Sequence, residues 1–271
     1  MTMPRIGGAT AGRARAVALG FWVLLVYAFL LLPVVVIVLA AFSATSYLSV
    51  PPKGLTLRWF LEVLRDPAYL NAIWYSFQLA ALTTAGSLVI GIAAAYALLR
   101  RAVPGAQLIS AVLMSPLIFP GVVIGVALLQ FYARVGLVGS FVGLLLAHMV
   151  ITVPYVVRAI LASLTGVDRH LEESARVLGA DPVTAFMKVT LPLIRPGVLA
   201  GGLFSFITSF DNVPVSIFLV GVRQTTLPVK IFTSIEYGVD PTIAAVSTML
   251  IAATAIFLIL AERWIGFHRF V

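Results

Sequence analysis

Two adjacent carboxylates, Glu172 and Glu173, stand in a polar insert between two long apolar segments, followed by Ser174, Ala175 and, six residues after Glu173, by Gly179 and Ala180. Farther on, Val189-Thr190-Leu191-Pro192 closes the insert. Acids on a short helix among small residues can accept charge-assisted hydrogen bonds from another protein's cations. Two other groups sit inside apolar runs: Asp211, the only acid away from a run's end, flanked by Phe210 and Asn212, and His148. No set of residues supports bond-breaking chemistry. There is no Gly-x-Ser-x-Gly, His-Glu-x-x-His, Walker A sequence or paired intramembrane aspartate, and no cysteine; the three histidines lack ligand spacing. The chemistry available is recognition and transmission of motion.

The elements that carry these residues follow from composition. Apolar residues make up 61% of the 271 and charged residues 10%, against roughly 45–50% and 25% in soluble domains. A chain so poor in polar surface is an integral membrane protein. Six runs exceed the roughly 20 apolar residues that cross a bilayer: about 16–42, 71–99, 106–131, 136–163, 198–220 and 241–262. They lack the alternation of barrel strands, so the fold class is an all-α membrane protein of six transmembrane helices in a single transmembrane domain, 1–271. The first run is too long for a signal-peptide core and reads as a retained helix. Of the 18 Lys and Arg residues, an N-inside arrangement leaves only Lys53, Arg58, Arg65, Arg134, Arg223 and Lys230 outside. That imbalance places both termini in the cytoplasm. The net charge of +8 is explained by topology and lipid headgroups; no basic run with interleaved aromatics suggests nucleic acid.

Three connections are long. Ser43 to Leu70 is external, with Trp59 and Phe60 suited to an interfacial helix; Val222 to Asp240 is external; Thr165 to Gly197 is internal. The internal one writes two helices. Asp168 caps the first, Glu172 lies in its first turn, and Val167, Leu171, Ala175 and Leu178 recur on one face. Gly179 suits a left-handed C-cap, and Asp181-Pro182 restarts a helix. Pro192 and Pro196-Gly197 end the insert. Either the insert docks on a partner, or it is an amphipathic helix in the headgroup layer.

The spacing Glu173-Ser174-Ala175-x3-Gly179-x9-Val189-x-Leu191-Pro192 resembles the E-A-A-x3-G-x9-I-x-L-P loop of bacterial ABC-importer permeases, with Ser174 and Val189 as departures. Met114-Ser115-Pro116, His148 with Pro154-Tyr155, Phe210-Asp211-Asn212 with Ser216-Ile217-Phe218, and Thr226-Leu227-Pro228-Val229-Lys230-Ile231-Phe232 resemble the subfamily that includes spermidine/putrescine permeases. The resemblance implies the type I importer fold: five core helices and a first helix wrapping a homologous second permease. It also implies two copies of an ABC ATPase below, docked on Glu172, Glu173, Ser174, Ala175, Gly179, Ala180, Leu191 and Pro192, and a periplasmic solute-binding protein above. This chain would be a transport component of the bacterial inner membrane, not an enzyme. It would carry no cofactor, with ATP and magnesium on the ATPase. In that subfamily the third span often has an acid after a proline, where this chain has Leu117 and Gly121.

Asp211 lies roughly 20 Å up its span at 1.5 Å per residue. A charge there needs a partner or an aqueous cavity, so it either lines the path or is structural. His148 is a hydrogen-bonded packing residue or a path residue. Gln78, Gln130 and Asn212 suit bridges between helices, and Pro116, Pro120, Pro154 and Pro214 suit kinks. The solute expected is small, polar and amine-bearing, a polyamine before a zwitterion. The competing class is a secondary ion-coupled carrier or channel without an ATPase.

Overall fold

The computed structural model describes residues 8–47, 49–100, 103–221, 224–238 and 240–265. Arg5, Arg101, Arg223 and Arg269, used in the charge count above, lie outside them. The chain is mostly helical: α1 (Gly8–Ala41), α2 (Arg58–Arg65), α3 (Pro67–Arg100), α4 (Ala106–Met114), α5 (Gly121–Val135), α6 (Phe141–Thr165), α7 (Arg169–Val177), α8 (Pro182–Ala185), α9 (Leu191–Leu193), α10 (Arg195–Phe210), α11 (Ser216–Leu219), α12 (Leu227–Tyr237) and α13 (Pro241–Ile265). Among the described residues there is no strand, only one isolated bridge between Ser43 and Leu55. Among the described residues three helices are long and apolar enough to cross a membrane, within α1, α3 and α6, or five segments if each of two bent pairs is one span.

Two of the expected spans are broken. The run 106–131 is interrupted by a 3₁₀ turn at Ser115–Leu117, and its halves meet at 105°. Pro116 and Pro120 each lack the N–H that a continuing helix would use. The run 198–220 ends as a helix at Phe210; Asn212 Oδ1 then accepts from the N–H groups of Val215 and Ser216 (3.0 and 3.3 Å) at the entry to α11. Pro154, in contrast, lies inside an uninterrupted α6. The 222–240 connection contains α12.

Internal contacts divide the chain into two compact units, Met1–Asp66 with Ser234–Val271, and Pro67–Thr233. In the first, α13 packs against α1 and α2. The expected helix at Trp59 forms, but Trp59 is buried and its Nε1 donates to Ser43 O at 2.8 Å, while Phe60 packs on Phe42. Its anchor is therefore inside the unit.

In the second unit α6 is held between α3 and α10. Both neighbours turn small residues inward at four-residue spacing: Ser87, Gly91 and Ala95 on α3, and Gly197, Gly201, Ser205 and Ser209 on α10. Lipid supplies no hydrophobic drive between helices, so close approach and interhelical hydrogen bonds hold them. A Cβ on Gly91 would stand 2.5 Å from Val156 Cγ1, and one on Gly197 would stand 2.7 Å from Ala159 O. Ser87 and Thr152 share a 2.7 Å hydroxyl bond across the same seam. Val156, Val157, Ile160, Leu164 and Ile194 complete a buried cluster at the end of the bundle that carries the 165–197 insert.

Candidate functional site: the 165–197 insert

The insert folds as two short helices around a closed turn. Asp168 accepts from His170 N–H at 2.9 Å and starts α7. The helix ends in a paired C-terminal motif: Ala180 N–H bonds Ala175 O and Gly179 N–H bonds Arg176 O, both at 3.0 Å. That pattern requires a left-handed residue, and Gly179 has φ +93°. Asp181 Oδ1 then accepts from Val183 and Thr184 N–H, with Pro182 in the first turn of α8. The Thr184 hydroxyl and backbone N–H groups hold the Asp181 carboxyl below the usual carboxylate range. This cap stabilises above the ordinary aspartate pKa and is lost only as pH falls through the lowered value.

Pro192 does not end the insert. A π-helical segment, Phe186–Thr190, leads into α9, and the chain turns by 73° at the buried Ile194 before α10 begins. Pro196 lies in the first turn of α10, where its missing N–H is harmless.

The two glutamates face different partners. Glu173 is exposed and pairs along its own helix, with Arg169 Nε at 3.0 Å and His170 Nδ1 at 3.1 Å. Glu172 is half-buried: Tyr96 Oη donates to Oε1, and Thr190 Oγ1 donates to Oε2 at 2.9 Å. Tyr96 also meets the Phe186 ring edge-on at 5.0 Å, and Arg100 Nη2 donates to Val167 O at 2.7 Å. The C-terminal end of α3 thus grips the insert. Tyr96, Arg100, Phe186 and Thr190 escape a reading of local spacing because their partners lie 18 to 90 residues away.

No residue of α7 is buried. Val177 and Leu178 are 88% and 87% exposed, and Val183 is 68% exposed. Leu178 thus faces outward, past the end of the helix, rather than sharing an inner face with Val167 and Ala175. A shallow open depression lined by Glu173, Arg176, Val177, Ala180 and Pro182 runs beside these side chains. Ser174 is exposed, Leu191 is half-buried, and Pro192 is exposed. Val177, Leu178 and Val183 are thus exposed apolar side chains set beside the charges of Glu173 and Arg176.

The second group of candidate residues separates into buried and exposed members. His148 is fully buried, with Nδ1 2.8 Å from Ser209 Oγ and Nε2 2.9 Å from Ser216 Oγ. It braces α6 against the α10–α11 break, and Asn212 caps α11 beside it. Asp211 is exposed at the end of α10. Phe210 closes a row of rings, Trp74–Phe77–Phe206–Phe210, with centroids 5.9, 5.9 and 5.8 Å apart. Trp74 also lines a cavity of ≈ 570 Å³ with Asn71, Tyr75, Gln78, Gln224 and Lys230.

The sequence model described as binding-protein-dependent transport system inner membrane component matches residues 86–268, which include the whole insert. The chain is 33% identical over 237 residues to the spermidine/putrescine transport system permease protein PotC of Haemophilus influenzae, covering 88% of this chain and 92% of that one. It is 33% identical over 240 residues to the putrescine transport system permease protein PotI of Escherichia coli, covering 86% and 85%. Its fold matches a chain in the crystal structure of a bacterial ABC transporter involved in the import of the acidic polysaccharide alginate, with a TM-score of 0.74 over 97% of this chain and 99% of that one, at 17% identity. A helical bundle with apolar spans and an exposed cap-built insert is thereby placed: the chain belongs to the binding-protein-dependent transport system inner membrane components, and is a multi-pass permease of the bacterial inner membrane.

Proposed function

We propose that this chain forms half of the translocation path of an ABC importer and that its 165–197 insert receives the ATPase. The observation that carries this reading is the Gly179 turn, which ends α7 so that Val177 and Leu178 project beside Glu173, 88% and 87% exposed among the described residues. A homologous permease supplies the other half, two ATPases hold the nucleotide and magnesium, and a periplasmic binding protein delivers the solute. The bent pairs and α13 complete six crossings of a type I importer, with both termini in the cytoplasm. Because the chain has no cysteine, single thiols report the topology cleanly. In intact spheroplasts an impermeant maleimide should label Thr225→Cys and spare Ala180→Cys, which reacts only after the membrane is opened; the reverse pattern would overturn the orientation.

The solute is small, polar and amine-bearing, of the polyamine type. Support comes from the names of the PotC and PotI relatives and from Asp211, exposed beside a row of aromatic rings that can hold an ammonium group by its quadrupole. Leu117 and Gly121 give the path no further acid, which disfavours a high density of positive charge. His148 and Asn212 act behind this surface, as braces. A thermal-shift screen of the cognate binding protein identifies the amine. Uptake of that amine by the reconstituted importer should then fall about tenfold in Asp211→Asn, as expected when one hydrogen bond to a charged group is lost. Uptake at the wild-type rate would make Asp211 structural.

A further inference from the structure

Glu172 and Glu173 are neighbours in sequence and opposites in use. Glu173 is exposed, and its partners belong to its own helix. Each oxygen of Glu172 is taken by a hydroxyl from a different element: Tyr96 on α3, and Thr190 at the end of the π-helical segment that leads through α9 into α10. We propose that Glu172 is not part of the surface offered to the ATPase but the joint that fastens the docking helix to the inner ends of α3 and α10. The proposal rests on the reading that this insert receives the ATPase.

The geometry makes α7 move with the bundle. Tyr96 is one turn from the end of α3, where Arg100 holds Val167 O at the start of the insert. The Tyr96 ring also packs against Phe186. Thr190 is buried and four residues before Ile194, the fully buried pivot of the 73° turn into α10. A push on α7 therefore reaches both helices that enclose α6, through one carboxylate with two acceptor oxygens. Charge-assisted hydrogen bonds of this kind are the strong ones. With a hydroxyl on each oxygen and the residue half-buried, Glu172 offers the ATPase less carboxylate than the exposed Glu173 does.

The test uses the complete importer, with its partner permease, ATPases and binding protein, reconstituted in proteoliposomes. Tyr96→Phe and Thr190→Val each delete one hydroxyl and keep the packing. Both variants should copurify with the ATPase at the wild-type ratio, while solute transported per ATP hydrolysed drops about fivefold or more. Glu172→Ala should drop it further. Glu172→Gln should retain most of it, because its amide oxygen still accepts from Tyr96 and its amide nitrogen can donate to Thr190 Oγ1. Glu173→Ala should instead reduce the amount of ATPase recovered. Wild-type coupling in both Tyr96→Phe and Thr190→Val would overturn the joint, as would loss of ATPase recovery in Tyr96→Phe matching that of Glu173→Ala. If Glu173→Ala and Gly179→Val leave recovery and coupling intact, the docking reading itself fails, whatever the hydroxyl variants do.

Discussion

Replacing Gly179 with valine should reduce ATP-driven uptake by at least about tenfold while the membrane bundle stays folded. A Cβ added at this position meets nothing within 4 Å, so crowding plays no part. The loss comes from the backbone, since φ is +93° and a left-handed conformation costs an ordinary L-residue about 1–2 kcal/mol, more with a branched β-carbon. That is enough to unwind the paired C-terminal bonds from Ala180 to Ala175 and from Gly179 to Arg176, and with them the placement of Val177, Leu178 and Asp181. Asparagine, which tolerates the left-handed region, should retain most of the uptake. Equal activity in the valine and glycine proteins would show that the turn does not set the docking surface.

The second large effect lies in the bundle. Gly197→Leu should lower the yield of folded protein and the midpoint of thermal unfolding in detergent. An added Cβ stands 2.5 Å from Ser163 Cβ and 2.7 Å from Ala159 O; the second is backbone and cannot rotate away. Overpacking of this kind costs typically about 1–3 kcal/mol, and more where backbone must shift. Gly202→Leu is the matched comparison, because its Cβ would meet only the ends of Leu88 and Thr84 at 3.4 Å or more. An unchanged midpoint in Gly197→Leu would mean that α10 does not approach α6 as closely as described.

How much of this was legible in the sequence depends on the range of the interaction. Local chemistry was readable: Asp168 and Asp181 as caps, Pro182 in a first turn and Gly179 as a left-handed terminus all act within a few residues of themselves. Pro116, Pro120 and Pro214 mark the breaks at 115–120 and 211–215, but a uniformly apolar run has no periodicity to show where a helix stops, and proline alone does not decide. Pro116 breaks its span, whereas Pro154 does not. Glu172 and Glu173 looked equivalent because both lie on α7; only Tyr96 and Thr190, brought from other elements, separate them. His148 was likewise ambiguous until Ser209 and Ser216 were found on both of its ring nitrogens. The aromatic row joins rings of α3 and α10 that no sequence interval connects.

The central claim, that this insert is where the ATPase binds, is tested most directly by a single thiol at one of its most exposed points. With no native cysteine in the chain, Leu178→Cys in the assembled importer carries the only reactive sulfur of this subunit. A short thiol-to-amine cross-linker should join it to the ATPase in high yield, and prior assembly should shield it from an impermeant maleimide applied to opened membranes. If Leu178→Cys gives no adduct with the ATPase and labels as freely in the assembled, transporting complex as in the isolated permease, the docking surface is elsewhere.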